Sequence, residues 1–227
     1  MTCGYEDHRS VPDDPEILAE YYRIRAPAYD DVYARPERQA DLLLLRRHVG
    51  SLLAGHDVLE IAAGTGYWTE RIASTARSVH ATDVNAPPLD IAKDRDYPRS
   101  NLSFGPADAF AVDEITGSFT ACFAGFCWSH LKLADVDRFL HGVVTKLQPR
   151  GTVVLVDNRY VPGSSTPISR TDSAGNTYQR RTLTGGGGYE ITKNFPSAGE
   201  LIDAATGHGV EPRLIELEFF WLLTFST

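Results

Sequence analysis

The chain has 227 residues, 42% of them hydrophobic and 23% charged, with a formal net charge of -8. This composition indicates a folded domain with a full core. The acidic balance disfavours a protein built to hold nucleic-acid phosphates, because that affinity comes from clustered Lys and Arg. A polar N-terminus and the lack of a long apolar run disfavour a signal peptide and a membrane span. Three cysteines without metal-ligand spacing favour a reducing, cytoplasmic location.

The first predicted element is a helical lid at residues 15–50. Apolar residues recur there at helical spacing, and a second helix at 36–54 ends before Gly55. Strand patterns then alternate with helical ones, which is typical of βαβ units in a doubly wound parallel sheet. The predicted strands lie at 57–62, 78–83, 101–105, 119–124 and 151–157, and the predicted helices between them at 67–76, 86–94 and 135–147.

The last third of the chain changes pattern. Residues 158–194 are rich in Gly, Ser, Thr and Pro, and two short strand-like pieces occur at 177–183 and 189–193. Because this insert follows the fifth strand, we expect it to form a wall of the substrate pocket at the carboxyl edge of the sheet. A helix at 197–206 opens with a Ser197–Glu200 capping box. A long apolar strand from Leu214 to Phe225 is predicted at the far edge.

A small-residue loop, Glu60-Ile61-Ala62-Ala63-Gly64-Thr65-Gly66, follows the first strand. It lacks the Lys of a phosphate loop. A dinucleotide fingerprint would need Gly where Thr69 stands, and Tyr67 and Trp68 crowd the place of the pyrophosphate, so a nicotinamide oxidoreductase is the weaker alternative. An acid at a strand end followed by small residues instead suits a site beneath an amino acid and a ribose.

This loop resembles the first motif of class I S-adenosylmethionine-dependent methyltransferases. The match departs at Ala62, where the family most often has Gly, and we expect Ala to be tolerated if the position needs no positive φ. Further landmarks at Asp83, at 104–110, after the fourth strand and at 147–155 extend the resemblance over 55–160. The fold it implies is a seven-stranded α/β sheet of order 3-2-1-4-5-7-6 with the last strand antiparallel, a single domain spanning 1–227 and ending in a helix and edge strands at 195–227.

The resemblance also implies a set of cofactor-binding residues. Asp83 would accept hydrogen bonds from the ribose hydroxyls, and Asp108 would accept one from the adenine amino group. An apolar neighbour would pack against the adenine ring. The segment Tyr21 to Asp30 resembles a lid segment of small-molecule methyltransferases. The residues predicted to bind S-adenosylmethionine are Tyr21, Tyr29, Glu60, Ala62, Gly64, Gly66, Asp83, Val84, Asp108, Ala109, Phe110, Gly125 and Phe126.

Methyl transfer from a sulfonium depends mainly on positioning the reactants and excluding water. Aromatic rings suit a cationic sulfonium, and the candidates are Tyr21, Tyr22, Tyr29, Phe126 and Trp128. His130, in the loop after the fourth strand, is predicted to act as a general base or to orient the acceptor, with Tyr29 as the second catalytic candidate. A structural His bonded to backbone remains the rival interpretation.

Asp157-Asn158 resembles the metal-binding pair of catechol-type O-methyltransferases, but the carboxylate expected after strand four is missing. No metal is therefore predicted. The predicted function is metal-independent methyl transfer to an oxygen or nitrogen of a small-molecule acceptor, with S-adenosylhomocysteine as product. No nucleic-acid or membrane partner is expected, and a homodimer stays open. The alternatives are a NAD-type oxidoreductase and a non-catalytic cofactor-binding protein. A basic cluster at 179–181 facing Lys193 gives an anionic acceptor as a further option.

Overall fold

The computed structural model describes residues 15–97, 101–182 and 188–227. Cys3 and residue 183, the end of one predicted strand, lie outside the described residues. The helices are α1 (Pro15–Arg25), α2 (Gln39–Leu52), α3 (Tyr67–Ala73), α4 (Ala86–Lys93), α5 (Val136–Lys146) and α6 (Ala198–His208). The strands are β1 (Asp57–Ile61), β2 (Ser78–Asp83), β3 (Leu102–Pro106), β4 (Phe119–Gly125), β5 (Leu147–Asn158), β6 (Ile168–Thr171), β7 (Thr177–Thr182), β8 (Gly188–Thr192), β9 (Val210–Glu216) and β10 (Phe220–Ser226).

The main sheet has seven strands in the order β3-β2-β1-β4-β5-β10-β9. The five strands from β3 to β5 pair in parallel, and β10 is antiparallel to both β5 and β9. The predicted sheet order and the antiparallel last strand are therefore confirmed. In a sheet of this kind ligands bind at the carboxyl ends of the parallel strands, near the point where the strand order reverses.

Each central strand buries both of its faces. In β1, Val58 packs in one hydrophobic core and its neighbour Leu59 packs in the other, because successive side chains of a strand point to opposite faces. The first core is completed by α2 and α3, and the second by α5 and α6. On α2 the residues Leu42, Leu45 and Val49 are fully buried at helical spacing. Two helical layers thus hold the sheet rigid beneath its ligand edge.

The insert after β5 forms a second, three-stranded antiparallel sheet of order β6-β7-β8. The two strand-like pieces predicted there correspond to β7 and β8, and β6 was not predicted. Helix α1 packs against β8, with the rings of Tyr21 and Tyr189 5.8 Å apart. This small sheet and α1 therefore face each other over the edge of the main sheet.

Two sequence predictions about the ends of the chain need correction. The long strand predicted from Leu214 to Phe225 is a hairpin of β9 and β10, whose chain reverses where the Leu217 amide donates to the Phe220 carbonyl at 2.8 Å. The outer strand is β9, and the apolar β10 lies inside the sheet because it is buried on both faces. The lid is also not continuous: α1 ends at Arg25, and 3₁₀ turns occupy Ala26–Tyr33.

Ala62 has a φ of 55°, in the left-handed region that favours glycine. The condition under which Ala was expected to be tolerated, a position that needs no positive φ, is therefore not met. The loop instead keeps its shape around a strained residue, and such a residue costs about 1–2 kcal/mol relative to the right-handed region. Arg150, inside β5, also has a positive φ, of 63°.

Within the described ranges, every helix is too short or too polar to cross a membrane.

Candidate functional site

A cavity of about 590 Å³, hereafter the large cavity, opens at the carboxyl ends of β1, β2 and β4. Most residues predicted to bind the cofactor line it, together with the catalytic candidate His130. Tyr21, Glu60 and Gly66 are not among the described residues of its lining. The predicted residues that this cavity brings together are Tyr29, Ala62, Gly64, Asp83, Val84, Asp108, Ala109, Phe110, Gly125, Phe126 and His130.

Asp83 ties the end of β2 to the loop after β1. Its Oδ2 accepts the Gly64 amide at 2.9 Å, and its Oδ1 accepts the Asn85 amide at 2.8 Å. Burial raises the pKa of Asp83, and these backbone N–H groups oppose the increase. The carboxylate retains lone pairs toward the cavity, as a group that accepts the two hydroxyls of a ribose requires.

Gly66 and Glu60 support the loop from behind. A Cβ on Gly66, whose φ is 82°, would lie 2.9 Å from the Cβ of Ala92 in α4, so only glycine lets the loop approach that helix. Glu60 is 1% exposed, and burial raises its pKa to about 8. Its carboxyl group is therefore largely protonated at neutral pH and adds little negative charge beneath the cavity.

Asp108 and Phe110 form the opposite end of the large cavity, after β3. The Phe110 amide donates to Asp108 Oδ1 at 2.8 Å, which leaves Oδ2 available to a ligand. The Arg138 guanidinium lies 5.0 Å from the centre of the Phe110 ring and covers it from the side of α5. An acceptor oxygen beside an aromatic face suits an adenine with an amino group at its edge.

The aromatic candidates separate into two groups. Tyr22 and Tyr29 line the large cavity with ring centres 5.7 Å apart, and Phe126 lines it from the end of β4. Tyr21 is 3% exposed and packs against Tyr22 at 5.0 Å, so it supports the lining from outside. Trp128 packs in the core against Trp221 at 5.8 Å.

A second cavity of about 100 Å³, hereafter the small cavity, lies between α1, the chain before α2, the end of β5 and the small sheet. Its described lining contains five cations and no carboxylate. Sequence analysis identified only two of the cations, because the others come from segments that meet only in the folded chain. The cations are Arg25, Arg35, Arg38, Arg181 and Lys193.

Two of these guanidinium groups have unused hydrogen-bond donors. The Nε atoms of Arg38 and Arg181 are buried and have no partner among the described residues. Arg181 is otherwise held by Thr166 Oγ1 at 2.6 Å and by Gln179 Oε1 at 2.7 Å. Burial lowers the pKa of both groups, yet an Arg side chain stays charged at neutral pH. Buried cations without a counter-ion are costly, and this is the arrangement expected of an anion site.

Asp157 acts as a brace at the end of β5. It is fully buried and accepts the amide and the hydroxyl of Ser129, both at 2.8 Å. Lys193 Nζ lies 3.6 Å from Asp157 Oδ1 and donates to Ser129 Oγ at 2.5 Å. The described residues contain no group of three or more His, Cys, Asp and Glu side chains that could hold a metal ion.

His130 links the two cavities. Its Nδ1 lies 2.9 Å from the Thr192 carbonyl oxygen, and its Nε2 lies 2.6 Å from the Tyr22 hydroxyl. Burial and the nearby Lys193 ammonium hold the pKa of His130 well below its ordinary value. The ring is therefore neutral, with Nδ1 protonated because a carbonyl oxygen only accepts. With Nδ1 protonated, Nε2 is the nitrogen that could act as the predicted base, and in this structure it accepts a hydrogen bond from Tyr22.

The chain is similar to known methyltransferases. Residues 58–151 match a family model described as a methyltransferase domain. No curated protein matches the chain. A DhpI–SAH complex is similar, with a TM-score of 0.74 and 29% identity over 92% of this chain and 94% of DhpI. A DhpI–SAM–HEP complex gives a TM-score of 0.77 and 27% identity, covering 95% of this chain and 98% of that one.

A more distant structure has the same fold. The magnesium protoporphyrin IX methyltransferase ChlM from Synechocystis PCC 6803, with bound SAH, has a TM-score of 0.63 at 11% identity. The match covers 94% of this chain and 99% of that one. At this identity the likeness concerns the fold alone.

Proposed function

Because the chain is an S-adenosylmethionine-dependent methyltransferase of the class I fold, we propose that it methylates an oxygen of a small anionic acceptor bound in the small cavity. The observation that carries the proposal is the pair of guanidiniums of Arg38 and Arg181, whose buried Nε–H groups have no partner among the described residues. A bound oxyanion would accept both donors and supply the missing negative charge.

The methyl donor is assigned to the large cavity. Asp83 would hold the ribose, Asp108 and Phe110 the adenine, and the turn around Gly64 the methionine part, as expected from the sequence. A ligand at this edge of the sheet is consistent with DhpI, which forms complexes with SAH and with SAM. When bound, S-adenosylmethionine supplies a methyl carbon on a cationic sulfur; the acceptor oxygen forms the C–O bond as the C–S bond breaks, leaving S-adenosylhomocysteine.

The two cavities share a wall, and this supports direct transfer between their ligands. Tyr22, Tyr29, Phe126 and His130 line both of them. The small cavity, at about 100 Å³, is well below the roughly 300–1,000 Å³ of pockets for drug-sized ligands. A small acceptor is therefore favoured over a macromolecule.

The charge of the small cavity bears on the acceptor atom. Five cations around one site repel a protonated amine and attract an ionised acid. The oxygen of such an acid already carries the electron pair that attacks the methyl carbon, so no proton has to be removed. The aromatic wall and the buried cations position the acid and exclude water, which is the protein's main contribution to this reaction.

The test is methyl transfer from labelled S-adenosylmethionine to matched pairs of small acceptors. Carboxylic, phosphonic and sulfonic acids and phosphate monoesters would each be compared with a neutral amide, ester or alcohol of the same shape. We expect turnover of at least one acid class, with a KM at least about tenfold below that of its neutral partner. Preferential methylation of amines or of neutral hydroxyl groups would contradict the proposal.

A further inference from the structure

Four side chains form the only stretch of lining that the two cavities have in common among the described residues: Tyr22, Tyr29, Phe126 and His130. A methyl group that leaves the large cavity for the small one has to cross between them. We call the space that these four side chains border the passage. Three of its walls are aromatic rings, and its polar groups are the hydroxyls of Tyr22 and Tyr29 and the imidazole of His130.

The direction of the Tyr22 hydroxyl proton follows from the hydrogen bonds of His130. The Thr192 carbonyl oxygen, 2.9 Å from Nδ1, fixes the proton of the neutral ring on Nδ1. Nε2 then has only a lone pair, and the Tyr22 hydroxyl, 2.6 Å away, donates to it. Lys193 Nζ is farther from Nε2, at 3.5 Å, and makes its shorter bond to Ser129 at 2.5 Å.

We propose that Tyr22 is a catalytic residue whose hydroxyl oxygen accepts C–H hydrogen bonds from the transferring methyl group, and that His130 is the positioning residue that turns the hydroxyl proton out of the passage. The inference rests on methyl transfer between the cavities and not on the charge of the acceptor. It gives His130 a role as hydrogen-bond acceptor in place of the base role predicted from sequence.

Two physical effects make this arrangement favourable. A methyl group on a cationic sulfur has polarised C–H bonds, and C–H···O contacts contribute about 0.5–1 kcal/mol each. A hydroxyl proton facing the passage would instead bond to the attacking oxygen and hold its electron pair. With the proton on the His130 side, Tyr22 presents only lone pairs to the methyl group and leaves the attacking oxygen free.

The first test compares the affinities of S-adenosylmethionine and S-adenosylhomocysteine by calorimetry, without any acceptor. Only S-adenosylmethionine has the methyl group. Tyr22→Phe, which keeps the ring, should therefore weaken the binding of S-adenosylmethionine relative to that of S-adenosylhomocysteine by about two- to fivefold. Tyr189→Phe is the matched control, because Tyr189 packs beneath α1 and lines neither described cavity. An unchanged ratio in Tyr22→Phe would overturn the assignment of Tyr22.

The second test addresses His130. His130→Gln keeps an oxygen that can accept the Tyr22 proton, whereas His130→Leu does not. We expect the Gln variant to keep nearly the wild-type ratio of S-adenosylmethionine affinity to S-adenosylhomocysteine affinity. In the Leu variant this ratio should fall. Equal behaviour of the two variants would reject the positioning role.

The unmodified protein provides an independent measurement. Nitrogen NMR of labelled histidines, with the His130 signal assigned by its loss in His130→Gln, should show a neutral ring protonated on Nδ1 at neutral pH. A ring protonated on Nε2, or on both nitrogens, would overturn the proposal. The cofactor affinities and the His130 tautomer are measured without an acceptor. A negative result in these tests would therefore reject the role of Tyr22 or His130 and leave the acid-acceptor proposal to the comparison of acceptors.

Discussion

The large and small cavities lie on either side of one wall and carry opposite charge. The described lining of the large cavity contains four carboxylates and two cations, whereas that of the small cavity contains five cations and no carboxylate. A sulfonium is thereby favoured on one side and an oxyanion on the other. The two reactants would approach each other across the passage without exchanging places, because each cavity repels the ligand of the other.

The cavities also differ in how the chain builds them. Most cofactor-binding candidates of the large cavity lie at or just after the ends of successive strands, and α1, α5 and β8 complete its lining. The small cavity takes Arg25 from α1, Arg38 from the chain before α2, Arg181 from β7 and Lys193 from the chain after β8. A parallel sheet fixes the first set by its topology, whereas the second set depends on how the insert and the lid pack together.

The largest expected effect is on the large cavity. Asp83→Ala removes a carboxylate that accepts two backbone amides and is placed to accept a ribose. We expect its Kd for S-adenosylmethionine to rise about 100-fold, since hydrogen bonds to a charged group contribute about 1.5–3 kcal/mol each. Calorimetry measures this, with Asp90→Ala on the exposed face of α4 as control. An equal loss in the control would mean that the effect comes from net charge.

A change in the small cavity should act on the other ligand. Arg181→Met keeps an extended apolar side chain without the charge, and we expect the acceptor KM to rise about 10- to 100-fold with the Kd of S-adenosylmethionine nearly unchanged. Without acceptor, the variant should melt at a higher temperature, because a partly buried cation surrounded by like charges is removed. Steady-state kinetics and thermal unfolding measure the two effects.

Arg180→Met is the matched control for that substitution. Arg180 directly precedes Arg181 on β7. It is largely exposed and pairs with Glu190 outside the small cavity. Neither the acceptor KM nor the melting temperature should change by much. A lower melting temperature for Arg181→Met would mean that the hydrogen bonds and ion pairs of Arg181 outweigh the cost of burying its charge, and would remove the main support for an anion site.

Glu60 tests whether the floor of the large cavity is neutral. Because its folded pKa, about 8, lies above the ordinary 4.5, the folded state retains a proton that the unfolded state releases. The wild type therefore loses stability as the pH rises from about 4.5 to about 8. Glu60→Gln should remove that loss and be more stable than wild type by about 2–4 kcal/mol near pH 8, with little difference near pH 5.

Denaturant unfolding at both pH values measures this difference, with Glu70→Gln on the surface of α3 as the control. A stability difference that does not change with pH would mean that Glu60 is ionised in the folded protein.

The smallest expected effect concerns the strained residue of the loop. Ala62→Gly should stabilise the fold by about 0.5–1 kcal/mol, because the relief of left-handed strain exceeds the entropy cost of glycine. Ala204→Gly, inside α6, should destabilise by about 1 kcal/mol. Thermal unfolding of the two variants distinguishes a conformational effect at residue 62 from a general effect of glycine. Destabilisation by Ala62→Gly would contradict the strain argument.

Much of the large cavity could be predicted because the resemblance to methyltransferases supplied the residue roles and local patterns place those residues at the sheet edge. A buried strand followed by Gly64, or by Asp83, places that residue at the sheet edge whatever the rest of the chain does. Three residues predicted to bind the cofactor do not line the large cavity, and the reasons are also local. Gly66 turns its α-carbon toward α4, and Glu60, inside β1, points into the core beneath the loop. Tyr21 and Tyr22 are neighbours on α1, and the helix turns only Tyr22 toward the cavities.

By itself the sequence determined where along the chain the parallel strands and their covering helices lie, because short apolar runs and helical periodicity act over a few residues. The order of the strands in the sheet and the roles of the loop residues came from the resemblance to methyltransferases. Only the tertiary structure decided that the apolar C-terminal run is a hairpin, that Arg25, Arg38 and Arg181 converge, and that His130 has its lone pair engaged by Tyr22. Each of these depends on contacts between segments far apart in the chain, and such contacts leave no periodic signal in either segment alone.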